Sequence, residues 1–315
     1  MNCTGILHHP AFPDIPGLDD FKGKKFHTAQ WDHSYDLKGK KVGIIGTGST
    51  AAQVIPELAK AVNHLTVFQR TPQWIMHLPN KVFTEGIKSH FRKSPFSLNA
   101  IRSIETWNIS NLLTKAVIGR PVQKAILNLS CKANLRLQIK DKTLRKKLTP
   151  NYAVGCKRII VNATFYPAIQ RENVLLETEG IERFVEDGIQ TKDGKVHKLD
   201  CVVLSTGFHA KNYMRPTQVF GRNGLDINDA WKNKVRTYRS VCLPEFPNNF
   251  LMLGPNSPIG NFSVIAISEV QINYVAKLIA RWCTGEFDLI EPRQDAVEEF
   301  TRYMKKGMKN TAWTG

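Results

Sequence analysis

Two glycines, a small residue and an arginine, at fixed spacing, give this chain its first chemistry. Gly46, Gly48 and Ala51 form G-x-G-x-x-A within the stretch KVGIIGTGSTAAQVIPELAKAVNHLTVFQRT, residues 41–71. The first glycine allows a tight turn, and the second lets the backbone approach a pyrophosphate. The small Ala51 lets a helix pack close to the strand before it. Ser49 and Thr50 fall where a helix N-terminus offers free N–H groups to phosphate oxygens. Thr47 and Gln53 belong to the same turn and the helix it opens. After the next strand come Gln69, Arg70 and Thr71, where an NAD site carries Asp or Glu. A guanidinium can fork onto a ribose 2′-phosphate, which a carboxylate would repel. These residues predict a dinucleotide site that selects NADPH over NADH.

Two more cations, Lys157 and Arg158, follow Gly155 and precede an apolar run. At a strand edge such a pair can simply be solvated. A fixed guanidinium can also stabilise a developing oxyanion by preorganised charge. His27 stands in F-x-G-x-x-x-H-x-x-x-W-D, made by Phe21, Gly23, His27, Trp31 and Asp32. By residue type alone this stretch reads as a loop leading into a strand at Lys41.

The elements that must hold these groups follow from periodicity. Residues 42–45 and 65–68 read as buried strands, and 51–62 as the helix between them. Pro56 is expected to kink that helix or loosen its first turns. Residues 174–200 read as two or three short antiparallel strands with a turn at Lys192, Asp193 and Gly194. Residues 199–204 read as a buried strand running into Ser205, Thr206, Gly207 and Phe208, and Cys201 within it as an inert buried thiol. Further on, 250–253 reads as a strand, 254–261 as a Gly/Pro/Asn loop and 264–282 as a helix with an apolar face.

Composition bounds the rest. The chain has 315 residues, 42% hydrophobic and 23% charged, which excludes a disordered segment. No apolar run is long enough to span a bilayer, and no signal-peptide pattern opens the chain, so a cytoplasmic location is expected. Six scattered cysteines show neither C-x-x-C nor zinc spacing, so no metal is expected. The net charge of +17 is uneven: residues 84–150 carry fourteen Lys and Arg against three Asp and Glu. That segment reads as amphipathic helices with basic faces, solvated or in peripheral contact with an acidic membrane. No nucleic-acid motif with interleaved aromatics is seen, and no nucleic-acid partner is expected.

With the His27 motif complete, the chain resembles the Baeyer–Villiger type of class B flavoprotein monooxygenases, within the flavin-containing monooxygenase superfamily. The stretch G-x-K-R and the later T-G-F at Thr206–Phe208 fit the same resemblance, although Ser205 and His209 depart from the family's A-T-G-F-D. The resemblance implies an α/β fold with two dinucleotide-binding, Rossmann-like domains. The first FAD-binding βαβ would be absent, and a helical insertion present. It implies an interdomain linker over 1–32 and an NADPH-binding domain over 33–207, with the basic insertion at about 84–150. The rear part of the FAD and substrate domain would cover 208–315. FAD and NADPH would be the cofactors, and one oxygen atom would enter beside a carbonyl through a C4a-peroxyflavin. Arg158 would serve that oxygenation and His27 would act on it indirectly, through the linker. Arg70, Thr71 and Lys157 would hold the 2′-phosphate, and Pro258, Ile259, Gly260 and Asn261 would line the pocket of a ketone or other lipophilic carbonyl substrate. Two alternatives stay open: an N- or S-oxygenating relative, and a non-catalytic NADPH-binding module.

Overall fold

The computed structural model describes every residue except 79–81, 211–212, 215, 258–261, 310 and 313–315. The chain forms two compact units. A sheet unit comprises residues 10–100 and 125–208; a second unit comprises 1–9, 101–124 and 209–315.

The sheet unit is built on five parallel strands, β1 (Lys24–His27), β2 (Lys41–Ile45), β3 (His64–Phe68), β6 (Val174–Glu177) and β10 (Cys201–Leu204). Their order is β1-β10-β2-β3-β6. Chain order moves outward from β2 to β3 to β6, then returns to the other side of β2 with β10. Every residue of β10 is buried, as is all of β2 except Lys41. That pattern explains why both read as continuous apolar runs. Ile45, Phe68, Val202 and Leu204 form one cluster with Phe184, Ile189 and Leu199. Phe184 and Ile189 come from the antiparallel meander β7 (Ile181–Val185), β8 (Gly188–Thr191) and β9 (Val196–Lys198), and Leu199 from the link between β9 and β10, so the meander covers one face of the sheet. A short parallel pair, β4 (Ile75–Met76) and β5 (Ile160–Val161), lies apart from the main sheet. Burial pushes the Cys201 thiol up to about 12, so it is inert as expected.

Helix α1 (Ser49–Ala61) crosses from β2 to β3 and runs through Pro56 as one helix. The helix continues through Pro56 without interruption for a visible reason. Proline removes the N–H that would meet the Ala52 carbonyl. The Asn162 side-chain amide donates to that carbonyl instead, at 3.1 Å. Its oxygen accepts the N–H groups of Thr164 and Phe165, at the start of α7 (Phe165–Ile169).

The basic segment is helical, as expected. It holds α2 (Glu85–Lys93), α3 (Pro95–Asn108), the short α4 (Lys115–Val117), α5 (Pro121–Gln138) and α6 (Lys142–Lys147), with a π turn at Ile109–Thr114. The second unit carries α8 (Ile227–Ala230), α9 (Val264–Cys283) and α10 (Gln294–Met308). Its apolar clusters are small and drawn largely from irregular chain, among them Met214, Leu243, Phe246 and Leu251.

Three expectations are corrected. Residues 24–27 are an edge strand of the main sheet, where half-buried Lys24 and Lys25 suit an edge and hide the strand pattern. Residues 174–177 join the sheet in parallel beside β3, not an antiparallel meander. Residues 250–253 are no strand: Phe250 and Leu251 make isolated bridges to Cys242 and Asn2, and Leu253 at φ 54° ends the extension.

Candidate functional site

The carboxyl ends of β2 and β10 meet where strand order reverses. At such a switch point the chain turns away on opposite sides, leaving a crevice. Here it is a cavity of about 430 Å³. Gly46, Thr47 and Gly48 line it from β2, and Ser205, Thr206 and Gly207 from β10. Phe68 lines it from the end of β3 and Arg70, Thr71 and Gln73 from beyond that strand, and Lys157 adds a second cation.

The two glycines have different causes. Gly46 adopts φ 110°, and a Cβ there would lie 2.4 Å from the Ser205 carbonyl oxygen. The protein itself requires that glycine. Gly48 caps the N-terminus of α1 and has no protein atom within 4 Å of an added Cβ. Its bare backbone faces open space beside the free N–H groups of the helix, a cradle that a phosphate can fill.

Charge in the cavity has one sign. No carboxylate lines it. Arg70 is exposed and has no ion-pair partner among the described residues. Lys157 lies over the Tyr152 ring, 4.6 Å from its centre. The Tyr152 hydroxyl donates to the Pro72 carbonyl and bonds the Gln73 side chain, at 3.1 and 2.9 Å. Thr47 donates to the Thr71 carbonyl at 3.1 Å, tying the glycine turn to the segment after Arg70. An anion with two separated charged groups, a pyrophosphate and a phosphate, fits this lining.

Ala11, Phe12 and Pro13 close the rim. The Ala11 N–H donates to the Gly207 carbonyl at 2.9 Å, and Thr206 Oγ1 donates to the Ala11 carbonyl at 2.5 Å. Behind this rim sits His27, 1% exposed, with ring centres 5.8 Å from Phe12 and 5.6 Å from Phe208. Its Nδ1 accepts the Ala29 N–H at 3.1 Å. Burial lowers its pKa, opposed in part by the Gly207 backbone. His27 thus sits against the rim without lining the cavity.

The structure gathers only part of the expected set into the cavity: Gly46, Thr47, Gly48, Arg70, Thr71 and Lys157. Ser49, Thr50, Ala51 and Gln53 lie in the first turns of α1, where Ala51 is fully buried and Gln53 bonds the Ser49 carbonyl. Arg158 is exposed and does not line the cavity. Pro258, Ile259, Gly260 and Asn261 lie outside the described residues. Sequence reasoning missed Ala11–Pro13, Gln73 and the Tyr152 platform. No local pattern announces them, because they arrive through tertiary contact.

The sequence pattern of the flavin-binding monooxygenase-like family matches residues 1–313. The chain belongs to that family. Family members of known sequence include an uncharacterised monooxygenase of Mycobacterium bovis, 40% identical over 315 residues. That match covers 100% of this chain and 63% of the relative. A Baeyer–Villiger monooxygenase of Streptomyces coelicolor is 36% identical, over 99% of this chain and 60% of its own length. The chain therefore spans about three fifths of these curated relatives. Among solved structures, cyclohexanone monooxygenase from Rhodococcus sp. Phi1 bound to NADP+ is similar with a TM-score of 0.81 and 29% identity. That likeness covers 99% of this chain and 65% of the other. A steroid monooxygenase bound to NADP gives a TM-score of 0.84 at 26% identity, over 99% and 66%. The monooxygenase fold is the α/β, Rossmann-like one expected from the sequence. Among the described residues no helix is long and apolar enough to cross a membrane, and no side-chain cluster could hold a metal ion.

Proposed function

We propose that this monooxygenase chain binds NADPH in the cavity at the ends of β2 and β10, and that the protein is an FAD- and NADPH-dependent oxygenase of Baeyer–Villiger type. One observation carries the reading: a switch-point cavity with a glycine turn, two cations and no carboxylate. In it, Gly46, Thr47, Gly48 and the N-terminus of α1 would take the pyrophosphate. Arg70, Thr71 and Lys157 would take the 2′-phosphate, whose charge excludes a neighbouring carboxylate. NADPH would supply hydride, and FAD would use it to activate dioxygen. FAD binding is supported by the family relation. His27 would hold the Phe12–Phe208 rim, and exposed Arg158 beside Lys157 would be free to meet an anionic reaction centre.

The relatives named for Baeyer–Villiger oxidation favour a carbonyl substrate over an amine or thioether. With FAD, NADPH and labelled dioxygen, a cyclic ketone should give a lactone carrying one labelled atom. Oxidation of a thioether with no lactone formed would replace this reading with S-oxygenation.

A further inference from the structure

A second cavity in the sheet unit has no part in the reading above. It measures about 440 Å³ and lies between α5, α6 and Trp74. Five cations line it: Lys132 and Arg136, one helical turn apart on α5, and Lys142, Arg145 and Lys146 on α6. Trp74 and Leu135, 6% and 3% exposed, form its apolar floor. The Trp74 indole N–H is committed to the Tyr152 carbonyl at 2.8 Å, which fixes the ring. Arg145 donates to the Ile139 carbonyl at 3.0 Å. The other four cations have no ion pair or side-chain hydrogen bond among the described residues. Residues 125–150 hold seven Lys and Arg and one acid, Asp141. Asp141 caps α6, accepting the N–H groups of Thr143 and Leu144.

Basic helix faces ordinarily alternate with acids, because like charges at helical spacing repel. Here five cations converge on one concave, partly apolar surface with no compensating carboxylate. Such a wall focuses positive potential into the cavity. Neutralising one or two of them would leave the rest in conflict, so a singly charged ion does not fit. We propose that this cavity is a second anion site, separate from the dinucleotide cavity, for a compact ligand bearing two or more phosphate groups. Two sources share that chemistry, a free oligophosphate and the headgroup of an acidic lipid. Leu129 and Leu137 on α5, 71% and 70% exposed, would enter the bilayer if the source is lipid.

The test uses the full 315-residue chain and inorganic triphosphate, followed by calorimetry. R136Q/K142Q/K146Q should weaken triphosphate binding about tenfold or more, the loss of charge-assisted hydrogen bonds. Arg70→Ala should leave one triphosphate site intact. Thermal unfolding should show the triple variant no less stable than the wild type, since it removes repulsion. If it does unfold, K142Q and K146Q singly carry the same test. Vesicles of phosphatidylcholine with and without cardiolipin, whose headgroup carries two phosphates, identify the source. Cardiolipin-dependent sedimentation lost in both the triple variant and L129S/L137S marks a lipid ligand; triphosphate binding without sedimentation marks a free one. The proposal is overturned if the triphosphate binding that remains in Arg70→Ala also survives when the triple substitution is added, or if all binding is lost in Arg70→Ala alone. Failure to bind either triphosphate or cardiolipin vesicles overturns it equally.

Discussion

The two cation-lined cavities of the sheet unit are made by different means. In the first, backbone sets the shape: a left-handed glycine, a reversal of strand order and a helix terminus, with two cations added. In the second, side chains supply nearly everything, and the backbone offers only two helix faces. A backbone-built site tolerates few substitutions and leaves a motif in the sequence. A side-chain-built site tolerates single changes and leaves only a charge imbalance. Each region should therefore fail in its own way when broken.

The largest effect belongs to Gly46→Ala. It sets a Cβ 2.4 Å from the Ser205 carbonyl at φ 110°, and should cost about 1–3 kcal/mol by chemical denaturation. Dinucleotide binding should be lost with it. Gly48→Ala makes no contact within the protein and replaces only a helix cap, so stability should fall by less than about 1 kcal/mol. Its dinucleotide affinity should fall nonetheless. Equal destabilisation by the two variants would mean that the glycines do not divide their tasks as described.

Asn162→Ala comes next. It strips the donor from the Ala52 carbonyl beside Pro56, and should cost about 1–3 kcal/mol, read from urea unfolding. A neutral result would show that water satisfies that carbonyl.

A smaller effect is expected from His27. Its folded pKa lies below the ordinary 6.5, so the unfolded chain binds the proton more readily. Stability present above pH 6.5 should be lost as pH falls through 6.5 toward the folded value. His27→Gln should flatten that part of the stability–pH curve, with denaturant midpoints as the readout. An unchanged slope would assign the acid sensitivity elsewhere.

The smallest effect is expected from K142Q, which removes one cation from the side-chain-built cavity. Stability should change by less than about 0.5 kcal/mol, and upward. A loss larger than that would mean the cations support the fold.

The cavity at the ends of β2 and β10 was legible where its chemistry is local. Gly46, Gly48, Ala51 and Arg70 follow one another along a single βαβ stretch, so spacing reveals them. The segment 24–27 was not legible, because an edge strand carrying two lysines lacks apolar alternation and takes its identity from Cys201–Leu204. Residues 174–177 were read as strand but given the wrong partner; parallel pairing with β3 is a long-range contact that periodicity does not encode. The uninterrupted run of the helix through Pro56 was not legible for a related reason: the donor that meets the freed Ala52 carbonyl, Asn162, is distant in sequence. The α5–α6 cavity was visible only as excess charge over 84–150, without its concave shape or its Trp74 floor.

The most direct test of the central claim compares NADPH and NADH binding to the wild type and to Arg70→Ala. The wild type should prefer NADPH. The substitution should weaken NADPH by about 1–3 kcal/mol and leave NADH nearly unchanged, because only NADPH offers the 2′-phosphate. If both cofactors weaken equally, Arg70 does not read the 2′-phosphate and the assignment of this cavity is wrong.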